Sequence, residues 1–205
     1  MKASPLSLPG YRINEYQLVL SPHEDLRERI KGIKEEFRNN YRVAAGASGR
    51  PHITLARFFQ YAMMEERILN RLKSVAMGYH GFKVELKDFG SLPSHSIFIN
   101  VVTKEPIKEL VRAVKPFQQL LKLNSENKPW FPDEPHITIA RKLLPWQYEK
   151  AWLEYSHRHF TGRFIADRML LLRRKLGDQA YQIAAAFDFM NLPVNTKQGE
   201  LFNLL

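Results

Sequence analysis

Two seven-residue segments, PHITLAR at residues 51–57 and PHITIAR at residues 135–141, stand 84 positions apart in a chain of 205 residues. Each carries a histidine and, two residues on, a threonine: His52 with Thr54, and His136 with Thr138. In an extended strand, alternate side chains share a face, so each pair points the same way while its isoleucine points the other. Two imidazoles are what an acid/base reaction at phosphorus needs. One, neutral, takes a proton from an attacking water or hydroxyl; the other, protonated, gives one to the leaving oxygen. The threonine hydroxyls can donate to the non-bridging phosphate oxygens, where charge must be stabilised. A lone His-x-Thr in a strand is common, because threonine favours strands. A duplicated one that keeps both polar residues while apolar positions drift, as Ile30 against Val114, asks for a chemical reason.

The same offset extends to the elements that must position these residues. Leu26, Ile30, Ile33 and Phe37 answer to Leu110, Val114, Phe117 and Leu121. Spacings of three and four among charges predict amphipathic helices over residues 22–39 and 105–123. Ser21 with Glu24 reads as a capping box for the first, and Pro106 falls in the first turn of the second. A further helix is expected after each motif, with Met64, Ile68 and Leu69 matching Tyr148, Trp152 and Leu153. Runs at residues 15–20, 82–88, 96–102, 164–173 and 181–187 have strand composition. The expected fold is α+β: one bilobal domain over residues 1–205, with approximate repeat halves at 14–90 and 94–187. A tail follows at 188–205. Each pseudo-symmetric lobe would be an antiparallel-rich sheet covered by helices on one face, and the lobes would enclose a central active-site cleft. With the polar faces opposed across that cleft, both histidines and both threonines converge, and Ala56 and Ala140 leave room beside them. Residues 90–94 (GSLPS) mark a turn-rich junction.

Composition bounds the partners. The formal charge of +10 and pI near 9.8 favour polyanions, RNA among them. Cysteine is absent, which removes disulfides and thiolate ligands and points to the cytoplasm. No apolar run has the length of a signal peptide core or a membrane span, so no membrane association is expected.

At the paired tetrads His52-Ile53-Thr54-Leu55 and His136-Ile137-Thr138-Ile139, the sequence resembles the 2H phosphoesterase superfamily. Its members include 2′-5′ RNA ligase-like proteins and RNA 2′,3′-cyclic phosphodiesterases, and its hallmark is a paired His-x-Thr-x with apolar x. The resemblance covers residues 14–187, although the tetrads carry its specificity. It implies a metal-independent phosphoesterase without cofactor, acting on RNA or nucleotide phosphodiesters such as a 2′,3′-cyclic phosphate or a 2′-5′ linkage. His52 and His136 would be catalytic, and Thr54 and Thr138 would bind phosphate. A noncatalytic RNA-binding module using the same cleft as a phosphate cradle is the alternative, and small cyclic nucleotides are a third substrate class.

Among other residues, Lys128, Trp130 and Phe131, in the loop before the second motif, offer a cation and aromatics that could hold a base. Residues 44–50 (AAGASGR) form the matching loop before the first and could serve as a lid. Arg57 and Arg141 fall, by parity, on the face away from the histidines; contact with phosphate would need a bulge. Arg173, Arg174 and Lys175 could attract a phosphate backbone, though such a cluster is more often a solvated strand end. His157 and His159, two apart near a helix end, do not share a face and suggest no metal site.

Overall fold

The computed structural model describes residues 9–43 and 49–192. Most of the loop read as a lid, residues 44–48, and the tail from residue 193 lie outside them. Eight strands form one antiparallel sheet: β1 (Ile13–Leu20), β2 (Ile53–Tyr61), β3 (Phe82–Leu92), β4 (Ser96–Val101), β5 (His136–Ala140), β6 (Thr161–Ala166), β7 (Arg168–Lys175) and β8 (Gln182–Asp188). Their order is β6-β3-β4-β5-β2-β1-β7-β8. The two motif strands are therefore neighbours at the centre, joined in register by the pair Ile53↔Ile137.

Of the two groups of four strands flanking that junction, β3 to β6 form one continuous stretch of chain, whereas β1 and β2 are joined by β7 and β8 from the other end. β3, which follows β2 and the next helix, pairs with β4, while β7, at a similar offset to that of the motifs, pairs with β1. Residues 93–95 turn the β3–β4 hairpin. The strand run expected over 164–173 is two strands broken at Asp167, whose carbonyl accepts from Phe189 N.

Four helices of ten residues or more accompany the sheet: α1 (Glu24–Tyr41), α2 (Glu65–Met77), α3 (Glu105–Val114) and, after the four-residue α4 (Gln118–Leu121), α5 (Pro145–Tyr155). The helix expected over 105–123 is interrupted by a 3-10 turn at Lys115–Phe117, because Pro116 cannot donate to the helical ladder. The capping box expected at Ser21 does not form: His23 is the N-cap, and Ser21 Oγ turns to the carbonyl of Pro22. The helices bury the apolar stripes read from the sequence. Ile30, Phe37, Leu110, Val114 and Leu121 join Tyr16, Leu18, Ile53, Phe58, Ile99 and Ile137 of the sheet in one core cluster. No helix among the described residues is long and apolar enough to cross a membrane.

Candidate active site

The site begins from the register of β2 against β5. With Ile53 opposite Ile137 in an antiparallel pair, alternation sets Thr54 beside His136 and His52 beside Thr138. Directly opposed residues stand about 5 Å apart at Cβ, so the two histidines and two threonines form a quartet on one face. Ile53 and Ile137, fully buried, fix that face by pointing into the core on the other. The four polar residues thus meet side by side on adjacent strands, and not across two opposed sheet faces.

The two rings are held alike. His52 Nδ1 lies 2.8 Å from the carbonyl of Arg50, and His136 Nδ1 lies 2.9 Å from the carbonyl of Glu134. A carbonyl can only accept, so both bonds select the Nδ1–H tautomer and leave Nε2 as the free nitrogen. Burial pushes the pKa of His52 down to about 4 against the bond to Arg50, and the charges of Lys34, Arg141 and His136 push the same way. His136 is likewise held below the ordinary histidine value by burial, against its bond to Glu134. Each ring is therefore neutral near pH 7 in the free protein, and an anionic phosphate among them would raise both.

Both motif strands carry a β-bulge, which corrects the parity of the residues that follow. Leu18 and Val19 of β1 face Ala56 and Thr54, leaving Leu55 as an extra residue. Ile97 and Phe98 of β4 face Ala140 and Thr138, leaving Ile139 extra. Beyond a bulge the faces exchange. Ala56 and Ala140 are fully buried in the core and do not leave room beside the histidines. Arg57 instead shares the face of Thr54, and Arg141 comes near enough to His52 for its charge to be felt there.

Around the quartet the two flanks differ. On the β4 side, Phe98 pairs with Thr138 and its ring centroid lies 4.8 Å from that of His136. It has room because residue 90 is glycine: a Cβ there would come within 2.6 Å of the Phe98 ring and of Asn100 Oδ1. On the β1 side, Glu15, with its side chain 8% exposed, takes Arg57 at 3.9 Å and is bonded by Arg174. Arg174 lies 4.6 Å over the ring of Tyr181, whose hydroxyl accepts from Gln17 Nε2 at 2.9 Å. Arg174 and Arg173, the latter paired with Glu65 at 2.9 Å, are thus tied into the fold where the sequence suggested a solvated strand end.

Of the three loop candidates, Trp130 meets a motif strand. Its backbone exchanges hydrogen bonds of 2.8 and 2.9 Å with Arg57, and its ring lies 5.7 Å from the Arg57 guanidinium while remaining 49% exposed. Phe131 packs against the core with Lys115 Nζ 6.0 Å from its ring, and Lys128 is exposed. His157 Nδ1 bonds to the carbonyl of Leu153 and His159 lies 3.3 Å from Asp88. No group of three or more His, Cys, Asp or Glu able to hold a metal occurs among the described residues.

Sequence reasoning missed Glu15, Tyr181 and Phe98, and it placed Arg57 on the wrong face and Arg174 at a solvated strand end. No signal for the bulges exists in the motif, where Leu55 and Ile139 look like ordinary apolar strand residues. A signal for Lys34 did exist. It continues the stripe Leu26, Ile30 at the next interval of four, so a lysine stands where a core residue belongs.

An antiparallel α+β sheet carrying this quartet at its centre defines the class, and comparison agrees. Residues 22–178 match the model of the 2′-5′ RNA ligase superfamily, and the chain belongs to that family, the 2H phosphoesterases. Among solved structures it resembles apo LigT of E. coli, at 15% identity over 86% of this chain and 98% of that one, with a TM-score of 0.60. It also resembles TT0787 of Thermus thermophilus, at 14% identity over 86% and 98%, TM-score 0.59. E. coli LigT complexed with 3′-AMP matches at 13% identity over 87% and 98%, TM-score 0.57. No curated protein sequence matches the chain.

Proposed function

We propose that this protein is a metal-independent 2H phosphoesterase that opens or cleaves a phosphodiester at a ribose 2′ position, in RNA or a nucleotide, with His52 and His136 as the acid/base pair. The observation that carries the reading is the Ile53↔Ile137 register, which brings both imidazoles, each with Nδ1 occupied and Nε2 free, beside the two threonines. For a 2′,3′-cyclic phosphate, water oxygen bonds to phosphorus as the bond to one ribose oxygen breaks. The neutral imidazole takes the water proton, the protonated one supplies the leaving oxygen, and exchange with solvent restores the pair. Thr54 and Thr138 donate to the non-bridging oxygens as charge grows on them. The reaction needs neither cofactor nor metal.

The flank built on Arg57 and Trp130 is the proposed nucleoside side of the site. The exposed indole offers a stacking surface, and Arg57 and Arg174 bracket a single carboxylate, leaving a net positive charge next to Thr54. Lys128 and Phe131, in the same loop, complete the proposed substrate-binding set. That relatives such as E. coli LigT were solved with 3′-AMP and with ATP supports a nucleotide ligand. In this proposal residues 14–90 and 94–187 are approximate repeat halves of one bilobal domain, with β3 and β7 exchanged between the lobes, and the cysteine-free chain acts in the cytoplasm.

The test is a substrate panel of a 2′,3′-cyclic mononucleotide, an oligonucleotide with the same end and a 2′-5′ dinucleotide, run with EDTA on wild type, His52→Ala and His136→Ala. Turnover in chelator that either substitution abolishes supports the reading. The charge of +10 favours one other reading, a noncatalytic RNA-binding module. Salt-sensitive RNA binding without turnover, little changed by either substitution, would establish it.

A further inference from the structure

An acid/base pair acting in line on one phosphorus atom must be aimed to within about 0.5 Å, and an imidazole has no means of aiming itself. Here each ring takes its direction from a backbone carbonyl two residues earlier, Arg50 O for His52 and Glu134 O for His136. Both carbonyls belong to segments that precede the strands and have no ladder partners. Something else must hold those segments.

We propose that lysines from the preceding helices are positioning residues for the two histidines: Lys34 of α1 for His52, and Lys104 with Lys108, at the start of α3, for His136. Lys34 Nζ donates to the carbonyl of Gly49 at 2.9 Å, one residue before the carbonyl that holds His52. The side of α1 it occupies is buried, and Lys34 itself is 7% exposed. An ammonium there is expensive to desolvate, and no carboxylate lies within salt-bridge distance among the described residues. Its burial, with the Arg141 charge adding to it, holds its pKa down at about 8. A hydrocarbon side chain would serve the core better, so the ammonium is explained by the carbonyl it reaches and by the site that carbonyl borders.

On the other side the same task is done differently. Lys104 Nζ and Lys108 Nζ each lie 2.7 Å from one oxygen of the Glu134 carboxylate, clamping the residue whose own carbonyl holds His136. The two devices are not copies. At the motif offset, Gln118 stands in the place of Lys34, and Arg50 in the place of Glu134. Unrelated residues converging on equivalent segments is what a shared requirement for ring orientation produces. The inference builds on the acid/base reading of the histidines, but its first readout is the rings themselves.

The experiment is 15N-edited NMR of the histidine rings, with a thermal melt for folding and turnover of a 2′,3′-cyclic nucleotide, on the full chain. Lys34→Met should leave His52 as a mixture of tautomers. His136 should be unmoved. Lys34→Arg should restore the Nδ1–H form, and Lys104→Met with Lys108→Met should loosen His136 and spare His52. Turnover should lose up to ~100-fold in kcat with KM nearly constant, the cost of misaligning a reacting group by about 1 Å. Rings unchanged in folded variants, or both rings changed by either substitution, would overturn the proposal. If Lys34→Met does not fold, the surface pair Lys104 and Lys108 decides it by the same criteria. Rings that respond as described in a protein without turnover would leave the positioning role standing and remove the phosphoesterase reading.

Discussion

Acidification should reveal how strongly the site resists charging His52. Its pKa lies near 4 in the folded protein, against about 6.5 for an exposed histidine. The unfolded chain therefore binds the proton more readily, and folding stability is lost as pH falls from about 6.5 towards 4. The contribution present at neutral pH is ~3.5 kcal/mol when fully withdrawn, at about 1.4 kcal/mol for each tenfold change in proton affinity. Near pH 4.5 the loss is ~2.5 kcal/mol. His136, also lowered, adds to it in the same direction. Urea unfolding of wild type and His52→Gln at about pH 7 and about pH 4.5 isolates the His52 part, since all other groups cancel in the difference. The variant should lose ~2.5 kcal/mol less than wild type on acidification. Inorganic phosphate, by supplying an anion beside the ring, should narrow that gap. Equal losses in the two proteins would show that His52 is not desolvated as described, and the cause assigned to its pKa would be wrong.

Replacing Thr54 or Thr138 by valine keeps the shape and removes a donor, so kcat should fall ~10²- to 10³-fold with little change in folding, measured by turnover and melting. Trp130→Ala should raise KM for a nucleotide substrate by the equivalent of ~1–3 kcal/mol of stacking while leaving kcat nearly intact. Gly90→Ala places a Cβ 2.6 Å from the Phe98 ring. It should cost ~1–3 kcal/mol of stability and shift the His136 ring signals more than those of His52. In the free protein, kcat/KM should decline as pH rises through neutrality, because the acid member must be protonated and both histidines have lowered pKa values.

Much of this was legible before the fold was known, for identifiable reasons. Helical stripes at Leu26, Ile30 and Phe37, and strand alternation around His52 and His136, are periodic signals, and periodicity survives without knowledge of neighbours. Where one residue breaks the period, the reading fails. The bulges at Leu55 and Ile139 reverse the faces of Ala56, Arg57 and Ala140, and nothing local distinguishes an extra apolar residue from a regular one. Strand partners are equally hidden. That β7 joins β1 is decided by pairing across the chain, so the Glu15 and Arg174 contact could not be anticipated from either segment. The capping box failed because Ser21 lies two residues too early, with Pro22 between it and the helix start at Glu24.

The central claim is that His52 and His136 act on one phosphate group. Titrating inorganic phosphate into the protein while following the ring nitrogens of both histidines tests it most directly. Both Nε2 signals should move together, with one dissociation constant and one phosphate bound per chain, and each should lose its response when the other histidine is replaced by alanine. Movement of one ring alone, or two independent binding curves, would contradict the account.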